Sequence, residues 1–103
     1  GGFKTVTVTA PTLTSIAITG VTEIAHVEGG DVGKTATLTA TGTYSDNSTK
    51  VLTNSADGLV WSSSNIALCT VNADGVITGV EEGLVTITAT VGAITDDHAV
   101  WVL

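Results

Sequence analysis

Three consecutive serines, Ser62, Ser63 and Ser64, follow Trp61, and two histidines, His26 and His98, could serve as bases to activate a hydroxyl. Nucleophilic catalysis needs hydroxyl, base and orienting acid within hydrogen-bond reach of one another. No Gly-x-Ser-x-Gly elbow is present, so the serines read as a strand end running into a turn. Cys69 is the single cysteine and sits between Leu68 and Thr70. No internal disulfide can form, and a lone thiol on an apolar stretch reads as a small core residue rather than a thiolate. The ten acidic residues raise the question of calcium, which takes several oxygens from one tight loop with alternating acids. Here Asp96 and Asp97 are adjacent, while Asp46, Asp74, Glu81 and Glu82 are scattered among turns. The two histidines lack companions at zinc spacing. No catalytic residue, metal site or cofactor is expected.

Recognition of a glycan or a protein surface would draw on aromatic platforms with amides and carboxylates nearby. Phe3, Tyr44, Trp61 and Trp101 are the aromatic residues. Trp61 reads as a core residue. Tyr44, with Asp46 and Asn47 in the turn that follows it, and Trp101 near the end of the chain are the candidate contacts for a ligand. Asn47-Ser48-Thr49 also matches a glycosylation sequon.

Three lysines, no arginine and ten acids give a net charge of −7. A nucleic-acid binder needs clustered cations to displace phosphate counterions, and none cluster here. Anionic membrane surfaces are disfavoured for the same reason. No apolar run reaches the ~18 residues of a membrane span, and no basic-then-apolar signal segment opens the chain. The opening Gly1-Gly2-Phe3-Lys4 reads as a piece of a longer polypeptide.

Twenty threonines, fourteen valines and seven isoleucines make β-branched residues the dominant class among 103. Such side chains crowd a helix and fit a pleated sheet, and the pattern is strand, turn, strand throughout. In Lys34–Tyr44, Ala36, Leu38, Ala40, Gly42 and Tyr44 share one face and threonines fill the other. The small inner residues should leave room for Trp61. Leu84–Val91 alternates Val85, Ile87 and Ala89 against Thr86, Thr88 and Thr90. Ser45–Ser48 is a turn, and Asn72–Gly75 is a four-residue hairpin loop between Ile66–Val71 and Val76–Val80. Asn54–Gly58 interrupts two short strands, Lys50–Thr53 and Leu59–Ser62. Thr95–Asp97 reads as a polar patch before a last strand, His98–Leu103, whose facing periodicity leaves open. Val21–Val32 reads as a loop or short edge strand. Seven to eight short strands separated by turns predict an all-β sandwich of two antiparallel sheets.

The order of motifs LTSIAITG (Leu13–Gly20), VGKTATLTATGTYSDNSTK (Val32–Lys50), VWSSSN (Val60–Asn65), VNADGVITGVEEG (Val71–Gly83) and LVTITAT (Leu84–Thr90) resembles the bacterial immunoglobulin-like domain, group 2. The resemblance runs from about Leu13 to Leu103. It departs from the family pattern in a long Thr22–Asp31 connection and in Cys69, where a small residue is usual. It implies an Ig-like sandwich over 12–103, with residues 1–11 a linker or an end strand joining a preceding domain. It further implies a non-catalytic module of a larger phage virion (tail or capsid) or bacterial surface protein, extracellular and engaged in display or weak attachment to surface ligands. The alternatives are a pure spacer in an adhesin rod or an accessory carbohydrate-binding domain of a secreted enzyme. Expected partners are neighbouring domains of the parent protein and a cell-surface glycan or protein, with neither nucleic acid nor membrane insertion.

Overall fold

The computed structural model describes residues 10–26 and 34–103. Strand β1 (Leu13–Thr19) is followed by the short β2 (Glu23–Ile24), then by β3 (Thr35–Thr37), β4 (Thr39–Tyr44) and β5 (Thr49–Val51). A single helical turn α1 (Asn54–Asp57) leads to β6 (Val60–Ser63), β7 (Cys69–Val71), β8 (Val76–Gly79), β9 (Gly83–Val91) and β10 (Ile94–Val102). One layer holds the sheets β1-β4-β5 and β3-β8-β7, which share the continuous run Thr35–Tyr44; the other is β2-β10-β9-β6. The described strands are more numerous than seven or eight because that run is divided at Leu38 and because β2 and β5 are short edge pieces. At the division, the Leu38 N–H donates to the Gly75 carbonyl at 2.9 Å, the next rung of the β3–β8 pairing. Residues 1–9, including the Val/Thr-alternating Lys4–Ala10 up to Thr9, and the second half of the long Thr22–Asp31 connection lie outside the described residues.

Alternation puts the apolar set between the layers. Ile16, Ile18, Leu38, Ala40 and Ile77 face Val85, Ile87, Ala89, Val100 and Val102, all buried. Ile87 is 0 % exposed, and burying such a side chain contributes about 2–3 kcal/mol. Pairing of Val100 with Val85 and of Val102 with Gly83 turns both valines inward, so Trp101, opposite Leu84, points out. This settles the facing of the last strand. Trp61 is buried as expected, but the glycine that makes room for it is Gly75: a Cβ there would lie 2.8 Å from the ring. Gly42 instead accommodates Leu13 and Leu52.

Several boundaries differ from the sequence reading. Ile66 is 71 % exposed and belongs to the turn before β7, whose strand starts only at Cys69. The Asn54–Gly58 interruption is helical because Thr53 caps it. The Thr53 Oγ1 accepts from the Ala56 N–H at 3.1 Å, and Gly58 closes the turn at φ 70. The Asp57 carboxylate accepts from the Thr53 N–H at 2.9 Å and from Lys50 Nζ at 2.8 Å, with Lys50 half exposed.

The polar patch Thr95–Asp97 lies within the last strand and not before it: β10 begins at Ile94 and carries all three residues. The reason lies in how one chain serves both layers. After β1 the backbone crosses to the second layer and runs alongside β10, pairing in parallel as Glu23 with Trp101 and Ile24 with Val102. Two side chains of β10 on its inner side hold the crossing. The Asp96 carboxylate accepts from the Ile18 N–H at 2.8 Å, and His98 Nε2 meets the Val21 carbonyl at 2.9 Å. The ladder then continues with Trp101 N–H to the Thr22 carbonyl, Leu103 N–H to the Ile24 carbonyl, and His26 N–H to the Leu103 carbonyl.

Gly75→Ala should destabilise the domain by about 3 kcal/mol in urea unfolding, combining positive-φ strain with overpacking against Trp61. Gly92→Ala, at a positive φ but with open space around its Cβ, should cost about 1 kcal/mol. Asp96→Ala should cost about 2 kcal/mol by stranding an edge-strand donor that had a charged acceptor, at unchanged urea dependence. Hydrogen bonds from Lys50, then from Thr53, hold the Asp57 carboxyl below its usual range. Its contribution is therefore complete above about pH 4 and is lost as the pH falls through the lowered folded value. Asp57→Asn should flatten that acid limb in unfolding measured against pH, and added salt should shrink the difference.

Candidate functional site

Because residues 18–26 track residues 96–103 in the same direction, the chain crosses the sandwich from pole to pole. The leading pole holds the start of β1, the β4–β5 turn and the two-residue Gly92-Ala93 loop, with glycine at φ 58. The trailing pole holds the end of β10 and the start of β9.

At the leading pole, Leu13 pairs with Tyr44, which is half-buried against the core. The turn after it is closed by Tyr44 N–H to the Ser48 carbonyl at 2.9 Å. Asp46 Oδ1 accepts from both the backbone N–H and the hydroxyl of Ser48, and these bonds, the hydroxyl's first, lower its carboxyl from the ordinary range. Asn47 takes φ 68, a left-handed conformation that asparagine tolerates. Tyr44, Asp46 and Asn47 thus lie together. Trp101 does not join them: ten residues of extended chain place it about 30 Å away, at the trailing pole.

There Trp101 is 51 % exposed, beside its cross-strand neighbour Leu84 at 48 % and Leu103 at 58 %. With Glu82, Gly83 and Val102, Trp101 and Leu103 border an open surface depression. Gly83 seats on Leu68, where a Cβ would approach within 2.8 Å. Glu23, paired with Trp101 across the parallel ladder, adds a carboxylate on the other side. A second, smaller hollow of about 190 Å³ lies in the flank between α1 and the β7–β8 loop, floored by Trp61, Leu52 and Leu59. Asn54 Nδ2 donates to the Ala73 carbonyl at 3.1 Å across this flank.

Of the residues considered for nucleophilic chemistry, Ser63, Ser64, His26 and His98 are engaged with backbone. Ser63 Oγ donates to the Cys69 carbonyl at 2.6 Å, and Ser64 Oγ accepts from the Thr86 N–H at 2.9 Å. Cys69 is 0 % exposed, and burial pushes its thiol above the usual range. His98 holds the layer crossing, and the His26 ring meets the Leu103 carbonyl. Among the described residues no group of three or more His, Cys, Asp or Glu could hold a metal ion. No helix of the described residues is long and apolar enough to cross a membrane. The inward roles of Asp96 and His98 escaped the sequence reading; the polar residues at every second position, 96 and 98, in phase with Val100 and Val102, were the available signal.

A curated relative, Ice-binding protein 1 of Shewanella frigidimarina, is 45 % identical over 84 residues, 82 % of this chain and 8 % of that protein. The chain therefore spans a small part of the relative's length. The solved structure of surface layer protein SbsC, domains 1–6, is similar with a TM-score of 0.66 at 20 % identity. That likeness covers 90 % of this chain and 15 % of the other, and it is a likeness of fold. A family profile described as the bacterial Ig-like domain (group 2) matches residues 30–102. With that match spanning most of the chain, and with the two-layer sandwich around Trp61, this protein belongs to the bacterial Ig-like domain family, group 2.

Proposed function

We propose that this chain is a non-catalytic module that spaces and displays the working parts of a larger bacterial surface or secreted protein. The observation that carries this reading is the pole-to-pole path: a module entered at one end and left at the other adds its full length to an extended assembly. From Leu13 to His26 that length is roughly 40 Å. The 45 % identity to a segment that makes up 8 % of a bacterial ice-binding protein supports a role as one part of a long chain. It also favours a bacterial cell-surface or extracellular setting over a phage virion. The active function of such a protein would then reside in other parts, with neighbouring domains as this module's main partners.

Weak attachment to a cell-surface glycan or protein is the second reading, favoured by one observation: an indole presented to solvent at Trp101. The turn residues Tyr44, Asp46 and Asn47 would form a separate contact at the other pole. Both readings are tested on the isolated chain by thermal hysteresis and ice retention and by a glycan array. The spacer reading expects no effect on ice growth and no selective glycan signal. Ice shaping by the isolated chain would sink it, and a selective glycan signal abolished by Trp101→Ala would replace it with the attachment reading.

A further inference from the structure

The strand run Thr35–Tyr44 bonds β1 along one edge, and along the other it is shared by β5 and β8, which leave a gap between them. The β5 pairing stops where the Leu52 N–H donates to the Ala40 carbonyl at 2.8 Å. The β8 pairing stops where the Leu38 N–H donates to the Gly75 carbonyl at 2.9 Å. Neither ladder completes its next rung. Leu52 lies beyond the end of β5 and returns no bond to Ala40, so the Ala40 N–H has no partner among the described residues. The Gly75 N–H turns back to the Asn72 carbonyl at 3.1 Å, which leaves the Leu38 carbonyl open as well. Leu38 is 2 % exposed and Ala40 1 %, and both line the flank hollow. A buried donor and acceptor left open are costly until something satisfies them.

The surroundings of this pair select the occupant. Below it lie the apolar Trp61, Leu52 and Leu59; at the mouth stand the hydroxyls of Thr39 and Thr53 and the carboxylate of Asp74. An extended peptide cannot pair here, because β5 and the β7–β8 loop stand in line with the gap at its two ends. A wholly apolar ligand would leave the Ala40 N–H and the Leu38 carbonyl open. A small ring with C–H groups on one face and hydroxyls along its edge meets both demands, since a hydroxyl donates and accepts. We propose that the flank hollow binds one ring of a neutral sugar. One of its hydroxyls donates to the Leu38 carbonyl and another accepts from the Ala40 N–H, while its C–H face lies on Trp61 and the two leucines. Asp74, in a chain of net charge −7, disfavours sugars that carry a carboxylate. The site is separate from Trp101, and a spacer can carry it. A ligand of this size is held at roughly millimolar concentration, too weakly to mark a glycan array, so the array reports on Trp101 and not on the hollow.

The test is a titration of the isotope-labelled full chain, read by its amide and indole N–H resonances. Glucose and galactose are the neutral probes, and glucuronate and galacturonate are their charged counterparts. At least one neutral sugar should move the Ala40 amide and the Trp61 indole at millimolar concentration while the Trp101 indole stays in place. Its uronate should bind about fivefold more weakly, and Asp74→Asn, in an exposed loop, should remove that difference. An Ala40 amide that responds to neither neutral sugar overturns the proposal and leaves the gap to water. Shifts confined to Trp101 overturn it too, and would belong to the attachment reading instead. Equal binding of a neutral sugar and its uronate by the unchanged chain also overturns it.

Discussion

A single chain must close both layers of this sandwich, and the fold depends on how its backbone survives the passage between them. At the end of β1 the Ile18 N–H faces the open edge, away from its ladder partner Ala40, and Val21 lies between β1 and β2. Buried backbone donors and acceptors without partners are costly. Asp96 and His98 supply those partners from β10, and their placement fixes which stretch of β10 lies beside the crossing. The parallel register of β2 on β10 continues from that placement. The separation of the two poles is another result of the same few bonds.

The parts of this architecture that were legible in the sequence are those set by local alternation. Ala36, Leu38 and Ala40 against their threonines, and Val85, Ile87 and Ala89 against theirs, face as period two dictates. Trp61 is buried, and the Ser45–Ser48 and Asn72–Gly75 turns form where their Asx and glycine residues fall. What escaped was set by partners far along the chain. Asp96 bonds a donor seventy-eight residues away, so an acidic pair that looks like loop composition is strand. Trp101 and Trp61 are chemically alike, and only the register of Val102 with Gly83 decides that one is inside and the other out. The helical turn at Asn54 rests on a Thr53 cap and Gly58, both visible in sequence but too short to register against flanking strand signals. Of the candidate contact residues, the cluster around Tyr44 held together because it is local, whereas Trp101 was placed at the opposite end by topology.

Threonine does two jobs in this molecule. Its branched Cβ favours the extended backbone, and its hydroxyl keeps outer sheet faces wet without a dense array of charges. On β9, Thr86, Thr88 and Thr90 are half-covered by the flanking strands, and Thr88 donates to Asp97 at 2.8 Å. Among the described residues seven large apolar side chains are nonetheless left outside, and three of them, Leu84, Trp101 and Leu103, lie at the trailing pole.

The parallel β2–β10 ladder has a mechanical consequence. Tension applied between neighbours at the two poles would pull these adjacent strands past one another along their length. Their hydrogen bonds lie across that direction and share the load in shear, so they must yield together rather than peel apart one at a time. The sandwich is thus oriented to bear force along the axis that joins its two poles.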